Sequence, residues 1–211
     1  MVRNRIMQFA AVAFLVARPI AAQDGTLEAS VHEMYKKTYV EALPILLDAS
    51  AKLQLALGKK EDAEKLRALS ADLAKGGDKP SADLAGKAST VLSSSNKALG
   101  TSLTTEGAKI QDDQDSLFVA GMLAYFDGTK ATVQAAKLVP DLAKELGGFQ
   151  PPKNPMAARK AMGAVGAGKA MVDNIPALAT SNVDTAKALK AYVTANKISV
   201  PADKLNMDFG Q

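Results

Sequence analysis

Residues 27–57 read LEASVHEMYKKTYVEALPILLDASAKLQLAL. Within them Val31, Tyr35, Tyr39, Ala42, Leu46, Ala49, Leu53 and Ala56 recur in steps of three and four. An α-helix turns once in ~3.6 residues, so this spacing lays one continuous apolar stripe along one face. A half-buried strand would alternate in steps of two along its length, and this stretch does not. The pattern predicts a first helix from about Leu27 to Leu57. Pro44 lacks the N–H that a helix interior uses, so a kink is expected there.

The same periodicity continues downstream. Gly58 closes the first helix. Ala63, Leu66, Leu69 and Leu73 form the face of a second. Glu61, Asp62 and Glu64 in its first turn suit the positive end of the helix dipole. Gly76-Gly77-Asp78-Lys79-Pro80 is a loop signal. Ser81 then caps a third helix, whose stripe is Leu84, Ala88, Val91, Leu92, Ala98, Leu99 and Leu103. A fourth is expected from about Glu106 to Phe126, with Ile110, Leu117, Phe118, Met122, Tyr125 and Phe126 facing inward. Asp127-Gly128 reads as a turn, with one long helix across Gly128 as the alternative. A fifth helix reaches Leu146 and stops at Gly147-Gly148. Residues 149–154 form a link, and Pro155 suits the first position of a sixth helix running to about Thr180. Asn182 caps a seventh, from Val183 to Asn196. Residues 198–211 read as an extended end around Pro201, either frayed or packed as a strap.

Composition agrees with this. Aromatics are 5% of the chain and Trp is missing, while Ala, Leu, Lys and Glu are good helix formers. The fold class expected is all-α: an antiparallel helical bundle of about six or seven helices, some kinked at proline. One domain is expected, with a main bundle over 23–148 and a C-terminal helical pair and tail over 149–211 packed on it. Leu43-Pro44-Ile45-Leu46, Val139-Pro140-Asp141-Leu142 and Ile175-Pro176-Ala177-Leu178 share one order. Their separations are irregular, so they form no repeat of fixed period; chance in an Ala/Leu-rich chain accounts for the echo, and the alternative is that each proline bends or restarts a helix.

The N-terminus carries a different signal. Arg3 and Arg5 precede an apolar run from Ile6 to Ala17, and small residues follow at Ala21 and Ala22. That is the layout of a secretory signal. The run is shorter than the ~20 residues a membrane-spanning helix needs. Cleavage is expected after Ala22, giving a periplasmic or secreted product with no transmembrane anchor. The chain has no cysteine, so lipid attachment at a cysteine, disulfides and thiolate metal sites are excluded.

Cleavage changes the electrostatics. The whole chain carries 26 basic and 22 acidic residues, a net charge of +4. Removing Arg3, Arg5 and Arg18 leaves 23 against 22, a net of +1. Nucleic-acid binding needs a basic stripe interleaved with aromatics, and none is present. Residues 151–211 keep a mild basic bias, with 8 basic and 4 acidic groups.

No catalytic or cofactor motif stands out. His32 is the only histidine; Glu28 and Lys36 flank it at one-turn spacing, which places it on a charged face. Asp112, Asp113 and Asp115 lack the central Gly and terminal Glu of a calcium loop. Gly163, Gly166 and Gly168 sit inside a helix, where each costs ~1 kcal/mol relative to Ala; close helix packing at Gly163 and Gly166 is the expected compensation. Tyr35 and Tyr39 on the first helix and Phe118, Met122, Tyr125 and Phe126 on the fourth would form an aromatic, Met-rich patch. Such a stripe is usually core; as a binding site it would suit a flexible apolar ligand.

These observations lead to one expectation and two alternatives. The first is an exported, non-catalytic bundle, without cofactor or metal, that binds or carries a small apolar molecule through those six residues. The second is a protein–protein interaction module, such as a chaperone, inhibitor or scaffold, whose partner is another envelope protein. The third is a haem- or metal-binding bundle centred on His32.

Overall fold

The computed structural model describes residues 27–105, 109–151 and 153–209. The expected leader and its cleavage point lie outside the described residues. Among those described, every regular element is helical. The order is α1 (Leu27–Tyr35), a π-helical segment (Lys36–Ala42), α2 (Leu43–Ala56), α3 (Lys60–Gly76), α4 (Ala82–Thr104), α5 (Asp115–Ala136), α6 (Val139–Gly147), α7 (Pro155–Ala195) and α8 (Ala202–Leu205).

The first helix is continuous through Pro44, and the π segment is how it manages this. The Leu43 N–H bonds to the Thr38 carbonyl, five residues back. Pro44 offers no N–H, and its ring crowds the carbonyl four residues earlier. A wider turn placed just before it absorbs that conflict. All eight stripe residues, from Val31 to Ala56, are buried. Gly58 then ends α2 at φ +78. Its N–H bonds to Leu55 O, and the Lys59 N–H reaches back to Gln54 O. This is the paired-carbonyl stop that a left-handed residue after a helix permits.

Two expected breaks are absent. Asp127-Gly128 is not a turn: one long helix, α5, runs through it to Ala136. The glycine serves packing instead. A Cβ on Gly128 would lie 2.7 Å from Leu46 Cγ, and one on Gly121 would lie 3.0 Å from Lys52 Cβ and 3.1 Å from Ala49 O. Two glycines seven residues apart share one helix face, so α5 lies closely on α2. The start of α5 also differs. Residues 109–114 are not helical, and Asp113 has φ +63, so the acidic cluster sits in and beside a turn.

The sixth and seventh expected helices are one. α7 spans 41 residues with Pro176 inside it. Pro176 is exposed, whereas Ile175, Leu178, Ala179 and Val183 are buried. Burial on both sides of the expected break holds the helix together, and the proline ring sits on the outer face. Asn182, expected as a cap, is fully buried inside the helix. Asn154 is the actual cap: its side chain accepts from the N–H groups of Met156 and Ala157.

α7 packs on α1, α4, α5 and α6, and α2 packs on α3 and α5. The C-terminal segment is a strap. Phe209 is buried against Phe126, ring centroids 5.6 Å apart and edge to face. Lys190 on α7 lies 4.7 Å from the Phe209 ring centroid, a cation–π contact. Lys204 reaches Asp127 at 3.2 Å. No helix among the described residues is long and apolar enough to cross a membrane.

Candidate functional site

The six residues expected to bind a ligand are all in the core. Tyr35, Tyr39, Phe118, Met122, Tyr125 and Phe126 are each no more than 1% exposed. They are filled in by protein. Tyr35 and Tyr39 stack on each other at 5.2 Å, Phe118 meets Tyr192 at 5.4 Å, and Phe126 meets Phe209.

The two deepest tyrosine hydroxyls both reach α4. Tyr39 Oη is 3.2 Å from Ser89 Oγ. Tyr125 Oη donates to Asn96 Oδ1 at 2.8 Å. Ser89 and Asn96 are seven residues apart, so they lie on one face of α4, two turns from each other. Asn96 in turn donates through Nδ2 to Asn182 Oδ1 at 2.7 Å and to Ser181 Oγ at 3.2 Å, both on α7. A polar network therefore ties α5, α4 and α7 together inside an apolar core. Asn182 Nδ2 is its one buried side-chain atom without a hydrogen-bond partner among the described residues.

Burial controls the protonation of this set. Desolvation raises the Tyr39 hydroxyl to about 12, with the Ser89 hydrogen bond pulling it partly back and Tyr35 adding to the rise. Tyr125 is raised further by complete burial, against lowering hydrogen bonds from Thr185 and Asn96. Burial also raises Tyr35 and Tyr192. Neither Tyr39 nor Tyr125 is poised as an acid or base near neutral pH.

Asn96, Ser181 and Thr185 also line an open groove of about 650 Å³ between α4 and α7. Its walls carry Lys97, Thr101 and Thr104 from α4, and Thr180 and Asp184 from α7. A second opening of about 550 Å³ lies on the other side of α4 and shares Lys97 and Thr101 with the first. There Lys59 is hydrogen-bonded through its ammonium to Ser102 Oγ. None of the six aromatic and Met residues lines either opening.

The other expectations fall as follows. A Cβ on Gly163 or Gly166 would meet nothing within 4 Å, so neither mediates close helix packing. Their neighbour Gly168 does: a Cβ there would come 3.0 Å from both Leu146 Cδ2 and Val31 Cγ2. His32 Nε2 lies 3.6 Å from Asp78 Oδ2, both partly solvated, while Glu28 pairs with Lys160 at 2.9 Å. No group of three or more His, Cys, Asp or Glu side chains able to hold a metal occurs among the described residues.

The buried contact of Asn96 with Asn182, which reads as a cap in the sequence, was not anticipated, although a signal exists. Leu92, Asn96, Leu99 and Leu103 follow helical spacing, as do Leu178, Asn182, Thr185 and Leu189. An asparagine occupying an apolar stripe position marks a buried polar contact, because Asn is a poor helix-interior residue without a partner. No family model, curated protein or solved structure matches this chain.

Proposed function

We propose that this chain is an exported, non-catalytic helical protein, periplasmic or secreted, that binds a small polar molecule in the groove between α4 and α7. In this reading the helices form an antiparallel bundle, and the leader is removed during export. The observation that carries it is the groove floor. Asn96 is only 2% exposed, yet it lines the groove and is held on its inner side by Tyr125 and Asn182. A side chain fixed by buried partners gives the groove a rigid floor on which exposed groups are preorganised. The ligand expected from the aromatic set alone was apolar. Those six side chains pack against protein, and the accessible groove, although much of its lining is apolar, carries threonine hydroxyls, Lys97 and Asp184, so the reading moves to a ligand with polar groups.

A second reading has its own support. Met156 and Met162 are exposed on the first half of α7, beside the uncovered Gly163 and Gly166. Arg159, Lys160 and Lys169 accompany them. An exposed Met and Gly face with a basic rim suits docking of an acidic-rimmed protein segment.

One experiment separates the two. Gly100 lines the groove and has space for a Cβ, so Gly100→Phe fills the groove without disturbing the core. Native mass spectrometry of protein purified from cells is expected to find a small-molecule adduct on the wild type and on Met162→Lys, but not on Gly100→Phe. An adduct kept by Gly100→Phe would sink the groove reading. A protein partner lost only in Met162→Lys, with no small adduct on any form, would favour docking.

A further inference from the structure

The groove's own chemistry narrows the class of ligand, on the reading that the groove is the binding site. We infer that it takes a small zwitterion, carrying one ammonium and one carboxylate, such as an amino acid or a short peptide.

The argument starts with where the hydroxyl hydrogens go. Thr101 Oγ1 donates to Lys97 O at 2.9 Å, Thr104 Oγ1 to Gly100 O at 2.9 Å and Thr180 Oγ1 to Pro176 O at 3.1 Å. Thr185 Oγ1 donates to Ser181 O at 3.0 Å. A hydroxyl has one hydrogen and two lone pairs. With the hydrogens committed to the helix backbone, the exposed hydroxyls of Thr101, Thr104 and Thr180 offer lone pairs to the groove. They form an acceptor-rich wall, and such a wall selects a donor-rich group.

An ammonium is the donor-richest small group, with three N–H bonds and no acceptor. The same arrangement already holds one. On the other side of α4, Ser102 Oγ donates to Ala98 O at 2.7 Å and accepts from the Lys59 ammonium. In the groove Asp184 supplies the matching charge from α7.

The opposite charge stands on the opposite wall. Lys97 projects from α4, and among the described residues neither Lys97 nor Asp184 forms an ion pair. A ligand carboxylate on Lys97 and a ligand ammonium among Asp184 and the threonine oxygens would satisfy both. A neutral sugar fits less well, because no aromatic ring lines the groove for its apolar face to stack on.

The test is a titration of the full chain followed by two-dimensional amide NMR. The probes are L-alanyl-L-alanine, its N-acetyl derivative, its C-terminal amide, and sorbitol as a neutral polyol. Alanyl-alanine is expected to shift the Asn96 side-chain amide and the Ser181 and Thr185 backbone amides saturably. Each capped form should bind at least about 10-fold more weakly, the loss of roughly one charged hydrogen bond. Asp184→Asn should erase the preference over the N-acetyl form, and Lys97→Met the preference over the amide. Both positions are exposed, so neither variant threatens the fold. Capped dipeptides that bind as tightly as the free one, or sorbitol binding alone, would overturn the zwitterion while keeping the groove as a site. Absence of groove shifts with every probe would overturn both.

Discussion

Tyr125 on α5 and Asn96 on α4 share a fully buried hydrogen bond of 2.8 Å. It holds the amide that continues into α7. Tyr125→Phe removes the donor and leaves Asn96 Oδ1 buried and unmatched, which costs about 1–3 kcal/mol. Urea denaturation of Tyr125→Phe, Asn96→Ala and the double variant checks this. The double variant should lose less than the sum of the singles, because the two act as one unit. Strict additivity would mean that the bond is not coupled as described.

The glycines of α5 and α7 should respond in opposite directions to the same substitution. Gly163→Ala and Gly166→Ala enter open space and replace a poor helix former, so each should stabilise by up to about 1 kcal/mol. Gly128→Ala forces Leu46 to move and Gly168→Ala crowds Leu146 and Val31; both should destabilise, by about 1–3 kcal/mol. Thermal melting of the four variants gives the ranking directly.

Alkaline pH should unfold the protein early. All four tyrosines have raised hydroxyl pKa values. The unfolded chain deprotonates near pH 10, while Tyr39 holds its proton to about 12. Stability is therefore fully present below pH 10 and falls above it. The slope is about 1.4 kcal/mol per pH unit for each tyrosine still protonated in the fold. Phenolate absorbance and far-UV dichroism should change together; phenolate appearing with helicity intact would contradict the burial.

The strap is a separable contribution. Phe209→Ala removes the ring between Phe126 and Lys190, and a loss of about 3 kcal/mol is expected. Lys190→Met keeps the hydrophobic stem but deletes the cation over the ring, so it should cost about 1 kcal/mol. Guanidinium denaturation resolves the two.

His32→Ala should change stability by less than about 0.5 kcal/mol, because the pair with Asp78 is solvated on both sides. A larger loss would assign His32 a role that its surroundings do not suggest.

Much of the helical pattern was legible. The periodicity of residues 31–56 named eight residues, and all eight are buried. Two of the errors share one cause. Asp127-Gly128 and Asn182 are local signals for a turn and a cap, and each is overruled by a distant helix: Leu46 beside Gly128, and Asn96 beside Asn182. Gly163 and Gly166 fail in the opposite sense, since the helix that the glycines suggested lies beside Gly168 instead. The candidate site was less legible. Tyr125 was singled out for its ring, but its hydroxyl partners come from α4 and α7, and nothing in the chain order announces that pairing.

The place of α7 in the chain has a kinetic consequence. A ribosome releases the chain from its N-terminus onward, and α7 is the last long helix to emerge. Until it does, α1, α4 and α6 have no partner for the faces they bury against it, and the Asn96 amide has no acceptor. Contacts of such long sequence separation form late and slowly. A nascent chain of this design stays incompletely folded until almost all of it has been made.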